Sequence, residues 1–190
     1  QRQMCIRDRV GLLSSTQLVA LSTANIRGLS SVQLGAISTS KVAALESQDV
    51  AALSSVQVAG FSTPQLGQWV TGQVQALGSG AIKGLSTDQL QGLGTSNITV
   101  LLSTALAGLG ALQLSGLSSG QLQQLGSAQV GALSSVAVSG LSTTQVGLLS
   151  STQLVALSTA NIKGFSAAQL GAIGTSQVSA VSYTHLTLPT

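Results

Sequence analysis

The sequence predicts an all-α solenoid built from one very short helix per eight residues. Three observations lead there. An octad of the form Leu-Ser-(Ser/Thr)-x-Gln-(Leu/Val)-x-(Ala/Gly) repeats without insertion or deletion from Val10 to Ser182. Each octad carries the side chains that start a helix. The few charged residues fall where a helix dipole favours them. Phase-perfect repetition of this kind marks a repeat architecture rather than a conventional domain. A β-solenoid is the alternative.

Within the octad, position 1 is large and apolar throughout, as at Leu13, Leu21, Ile37, Phe61, Trp69, Leu77, Leu141 and Phe165. Position 6 is always Val, Leu or Ile, from Val10 and Leu18 to Val178. Positions 6 and 8 alternate as a strand would, but the apolar position 1 follows at once and breaks the parity. One continuous helix fails too, because eight residues turn about 800° and leave each octad roughly 80° out of register with the last. The chain must restart once per octad.

Chemistry for the restart is present. Ser at position 2 and Gln at position 5, as in Ser142 and Gln145, form a capping box, each side chain satisfying a backbone N–H that the helix start leaves open. The aliphatics at positions 1 and 6, such as Leu141 and Val146, then flank the cap as a hydrophobic staple. Glycine at position 8, as at Gly28, Gly84, Gly140 and Gly164, suits the residue where a helix ends. Glu46, Asp88 and Asp49 lie in predicted first turns, whereas Arg27, Lys83 and Lys163 lie at position 7 near helix ends. Lys41, at position 5, is the exception. Pro64 lies within a first turn, where its missing N–H removes no helical bond.

Helices this short do not stand alone in water. The staple residues must therefore pack between neighbouring octads, giving an aliphatic axis under a Ser/Thr/Gln exterior. The stretch from Trp69 to Gly126 has the weakest helical signals, because Gly78, Gly94, Gly110 and Gly126 replace the capping serine and Val70 and Leu102 also lack a hydroxyl. Bending or local disorder is expected there. The segment VGLLSSTQLVALSTANI occurs at Val10–Ile26 and again at Val146–Ile162, as recent duplication would produce.

Composition narrows function mainly by exclusion. Charged residues make up 6% of the chain and aromatics 2%, against roughly a quarter charged in average globular proteins. The net charge of +3 is concentrated at the N-terminus, and no basic patch is available for nucleic acid. Val10–Ser182 contains no His, Cys or Tyr, and its serines have no base to activate them. No catalytic, cofactor-binding or metal-ligating residue is assigned, no cofactor is expected, and the reading is non-enzymatic. Glu46 and Asp49 are read as helix-start acids rather than a catalytic pair. Asn97-Ile98-Thr99 is a formal glycosylation sequon, read as a chance match. Val100–Leu117 lacks charge but holds Ser103, Thr104, Gln113 and Ser115 and keeps the octad phase, so no transmembrane span is expected.

The ends differ from the middle. Met4, Cys5, Tyr183 and His185 are the only residues of their types and lie outside Val10–Ser182. QRQMCIRDR and SYTHLTLPT resemble translated sequencing-adapter read-through at the edges of metagenomic fragments. The chain thus divides into a non-native segment 1–9, the octad solenoid 10–182 and a non-native segment 183–190, with the natural protein expected to be longer.

The octad, for example Leu149-Ser-Ser-Thr-Gln-Leu-Val-Ala156, resembles the LSTxQLxAL repeat tracts of very large bacterial secreted or surface proteins, often labelled haem-utilisation or adhesion proteins. The resemblance covers all of Val10–Ser182. It implies an alpha-beads-on-a-string solenoid of one-turn helices, an extracellular or cell-surface location and a stalk, spacer or adhesin-like role. The haem label brings no residue with it, since the repeats contain no His, Met, Tyr or Cys ligand. The alternative is a binding module whose repetitive Ser/Thr/Gln face contacts glycan, ice or a second copy of the chain.

Overall fold

The computed structural model describes residues 9–179. The proposed foreign ends, 1–9 and 183–190, lie outside the described residues apart from Arg9, and so do Met4, Cys5, Tyr183 and His185. The described chain is a solenoid of short helices with no strand among the described residues.

Helices begin at position 3 of nearly every octad: Ser15–Val19, Thr23–Gly28, Ser31–Gly35, Ser47–Ala51, Ser55–Val58, Thr63–Leu66, Thr71–Gln75, Ser79–Ile82 and Thr87–Gly92 in the first half. They continue as Ser103–Leu106, Ala111–Ser115, Ser119–Gln123, Ser127–Gly131, Ser135–Ser139, Thr143–Gly147, Ser151–Ala156, Thr159–Ile162 and Ala167–Gly171. Two octads deviate, with a 3₁₀ turn at Val42–Ala44 and a helix starting one residue early at Gly94–Val100. The restart is two extended residues per octad, shown by Leu157 at φ −69°, ψ 125° and Ser158 at φ −72°, ψ 165°. The capping box forms as predicted. Ser142 N–H donates to Gln145 Oε1 at 2.9 Å, and Gln145 N–H donates to Ser142 Oγ at 3.1 Å. Pro64 sits in the first turn of its helix. Asp88 lies in a first turn, Arg27 in a last turn, and Lys83 and Lys163 at C-caps.

Position 6 is buried at every octad from Val10 to Leu154, and position 1 at every octad from Ile37 to Phe165. Together they form one continuous aliphatic core. Phe61 and Trp69 meet within it edge to face, ring centroids 5.3 Å apart at 79°. Each helix packs mainly on the helices three octads before and after it, as Thr63–Leu66 packs on Thr87–Gly92 and Ala111–Ser115 on Ser135–Ser139. Bonds between turns join residues 25 to 31 apart, so one superhelical turn takes between three and four octads.

Two expectations change and one gains a reason. Glycines at position 8 do lie where helices end, Gly28 as a last residue and Gly140 as a C-cap, but not in the left-handed region, for Gly94, at φ 77°, is the single positive-φ residue among those described. Close approach requires them instead. A Cβ on Gly60, Gly84, Gly140 or Gly164 would run into the backbone carbonyl of Ser31, Ser55, Ala111 or Ser135, in each case 29 residues earlier. Secondly, the stretch from Trp69 to Gly126 keeps its helices and its core. Where the hydroxyl is missing but position 5 is glutamine, the glutamine half of the cap persists: the N–H groups of Val70 and Gly110 each donate at 3.0 Å to Gln73 and Gln113 Oε1, whereas Gly78 and Leu102, opposite Ala81 and Ala105, have no side-chain cap. Thirdly, most position-5 glutamines leave the exterior to serine and threonine, being buried at Gln57, Gln65, Gln73, Gln121 and Gln153 among others, though Gln17 is exposed.

Candidate functional site

The side chains with the most specific geometry are those of position 5. The first turn of each short helix aims this side chain back toward its own cap and toward the turn below. Its Oε1 accepts the cap N–H, and its Nε2 crosses to the preceding turn. Gln73 Nε2 donates to the carbonyls of Val42 at 2.8 Å and Leu45 at 2.7 Å. Gln153 Nε2 donates to Leu122 and Leu125, both at 2.8 Å, and Gln129 repeats the pattern on Ile98 and Leu101. The acceptors lie 31 and 28 residues earlier, at positions 6 and 1. These carbonyls face inward where a helix ends or a linker begins, so their helices leave them without enough donors. One carboxamide therefore caps its own helix and stitches two turns together. A buried polar side chain is stable in such a place because each of its polar atoms is matched.

The column explains residues that the octad rule alone does not. Lys41 occupies position 5, and its Nζ donates to the Leu13 carbonyl at 2.8 Å, again 28 residues back. Asn97 donates to Trp69 at 3.2 Å and Asn161 donates to Leu133. Asn97 is thus engaged between turns, in keeping with the reading of its sequon as a chance match. Ala81, Ala105 and Ala137 interrupt the column. Sequence reasoning found the cap and missed the stitch. The signal was available: a capping box accepts Glu as readily as Gln, yet position 5 never holds Glu from Gln17 to Gln177. Such a bias points to a required donor.

Asp49 breaks that requirement. It is 1% exposed, and neither carboxylate oxygen has a hydrogen-bond partner. Burial, reinforced by the Glu46 charge, raises its pKa above the ordinary 3.8, while the backbone at Glu46 pulls the other way. Asp49 lies in the first turn of Ser47–Ala51, as the sequence predicts for a helix-start acid, but its side chain is buried. Glu46 makes no cap bond and instead accepts from Gln48 Nε2.

Open grooves lie outside the column. One open groove is lined by Ser31, Ser55, Val56, Ala59, Lys83 and Gly84, another by Thr95, Ser96, Thr99, Gly120, Gln123 and Gln124. Among the described residues no three His, Cys, Asp or Glu side chains gather where they could hold a metal ion. Val100–Leu117 is cut into the separate helices Ser103–Leu106 and Ala111–Ser115, and no described helix is long and apolar enough to cross a membrane.

The family described as the ALTTAQ repeat matches residues 10–45, 42–77, 70–104, 122–159 and 151–182. The chain belongs to the ALTTAQ repeat family. Placed on the octad, the letters of that description run from position 8 through position 5, ending on the glutamine that stitches the turns. In this member of the ALTTAQ family the interior stretch left unmatched, 105–121, contains Ala105 at the glutamine position and Gly110 at the cap. No match was found among curated proteins.

Proposed function

We propose that this chain is a stalk or spacer segment of a large bacterial secreted or surface protein, adhesin-like in setting and without catalytic activity of its own. The observation that carries the reading is the range of its contacts. Helices pack on those three octads away, and every stitch crosses one turn. Each added octad therefore lengthens the rod and leaves distant turns untouched, which is the property a spacer needs. The resemblance to surface-protein repeat tracts supports the extracellular setting. The absence of His, Cys and Tyr from Val10–Ser182 supports the non-enzymatic reading.

Removal of three octads, residues 103–126, is the test. Small-angle X-ray scattering is expected to show a shorter maximum dimension with the cross-section unchanged, and circular dichroism to show helix per residue retained. Collapse or unfolding of the shortened chain would refute the spacer reading.

The second reading, a face that binds glycan, ice or another copy, rests on the hydroxyls. Ser62, Ser86, Ser118 and Ser142 remain exposed although they cap helices, as do Thr63, Thr71, Thr143 and Thr159 beside them. Glutamine is not part of that face. Changing Thr63, Thr71, Thr143 and Thr159 together to Ala leaves the caps intact. Binding to a glycan array or ice-recrystallisation inhibition that disappears in this variant, with melting unchanged, would favour this reading over the spacer.

A further inference from the structure

Four position-5 residues, Lys41, Asp49, Gln57 and Gln65, lie between the first described turn and the next. Three of them donate to the turn below: Lys41 to Leu13 at 2.8 Å, Gln57 to Leu29 at 2.8 Å and Gln65 to Ile37 at 2.5 Å. Each acceptor is the position-1 carbonyl 28 residues earlier. By the same register the carbonyl opposite Asp49 is that of Leu21. A carboxylate sets lone pairs against that oxygen, whereas a carboxylic acid supplies a hydrogen. Side-chain length is sufficient, because asparagine, the same length as aspartate, makes this bond from Asn97 to Trp69 at 3.2 Å.

We propose that Asp49 is a proton-operated stitch: as the neutral acid it donates to the Leu21 carbonyl and holds the first turn on the second, and on ionisation it releases that contact. The surroundings favour the acid. The side chain is 1% exposed and neither oxygen has a hydrogen-bond partner within normal geometry, and desolvation by burial followed by the Glu46 charge raises its pKa, outweighing the opposing pull of the nearby Glu46 backbone N–H. Its helix, Ser47–Ala51, packs on Thr23–Gly28 and Thr71–Gln75. The former brings only Arg27, which is exposed in the last turn, and the latter brings no ionisable group. Lys41, in the neighbouring octad, is engaged with Leu13. A folded-state pKa raised above the unfolded value means that the stitch contributes fully below the ordinary 3.8 and fades as pH rises through the folded value. The first turn accordingly tightens in acid and loosens toward neutrality.

The experiment compares the full chain with Asp49→Asn and Asp49→Ala from pH 4 to 8. Thermal melting and hydrogen exchange of residues 14–34, corrected for intrinsic rates, are the readouts, each taken as a difference between wild type and variant. Relative to Asp49→Asn, wild type is expected to lose melting temperature and protection of 14–34 as pH rises. Asp49→Asn is expected to melt above wild type at pH 7. Asp49→Ala is expected to follow Asp49→Asn in its pH dependence, without that gain. A wild-type pH slope persisting in Asp49→Asn, or no gain at pH 7, would overturn the proposal. So would stabilisation of wild type, but not of Asp49→Asn, by millimolar calcium chloride or sodium chloride at pH 7, which would place an ion where the proton is proposed.

Discussion

Gln73 and Leu45 stand 28 residues apart in the chain and one hydrogen bond apart in space, Gln73 Nε2 donating to the Leu45 carbonyl at 2.7 Å. The same carboxamide accepts the Val70 N–H through its other end at 3.0 Å. Helix initiation and turn-to-turn cohesion thus share one side chain, so damage to it is felt twice.

Gln73→Ala removes a cap acceptor and two donated bonds, strands the Leu45 carbonyl inside the structure and leaves the Val42 carbonyl with the Leu45 N–H alone. At about 1 kcal/mol per net hydrogen bond, with more for stranded groups, the loss is expected to be about 2–4 kcal/mol. Chemical denaturation of the variant checks it, and a change below about 0.5 kcal/mol would mean that the bonds are dispensable.

The reverse substitution tests the same column by gain. Ala105 occupies position 5 and is 0% exposed, and in register it faces the Leu77 carbonyl. Ala105→Gln is expected to raise stability by about 1–2 kcal/mol by completing the ladder. A lower melting temperature would show that neighbouring side chains have taken the space.

Glycine at position 8 separates close approach from backbone conformation. Gly84→Ala places a methyl group against the Ser55 carbonyl, whereas Gly80→Ala meets nothing within 4 Å. The first is expected to destabilise by about 1–3 kcal/mol, as overpacking does. The second lies inside a helix and is expected to stabilise by about 0.5–1 kcal/mol, because alanine loses less backbone entropy than glycine. Equal effects would remove the packing explanation.

In the core, Leu106 at 0% exposed and Leu112 at 81% exposed are the same residue type in adjacent octads. Leu106→Ala is expected to cost about 2–5 kcal/mol, and Leu112→Ala to stay within about 0.5 kcal/mol of wild type. Paired thermal melts distinguish them.

Much of the fold was legible in the residues because its signals are local. Helix starts at position 3, the Ser–Gln caps and the apolar columns at positions 1 and 6 follow from spacing alone, since each involves atoms within about one helical turn. Turn size, the approach that requires glycine at position 8 and the donated half of each glutamine were not legible. They depend on which residue lies above which, and spacing within an octad carries no information about that.

The duplicated segment separates the two levels. Its copies share 17 residues, and in both the cap closes: Ser14 N–H donates to Gln17 Oε1 at 2.9 Å and Ser150 N–H to Gln153 Oε1 at 2.9 Å. Gln153 goes further: it is 3% exposed and bonded to Leu122 and Leu125, 31 and 28 residues earlier, whereas the same register before Gln17 falls outside the sequence given. By itself the sequence determined the local helix, because both partners of the cap lie three residues apart. Only the tertiary structure decided that Gln153 is also a buried stitch, because that depends on the carbonyls of a turn lying 28 to 31 residues before it.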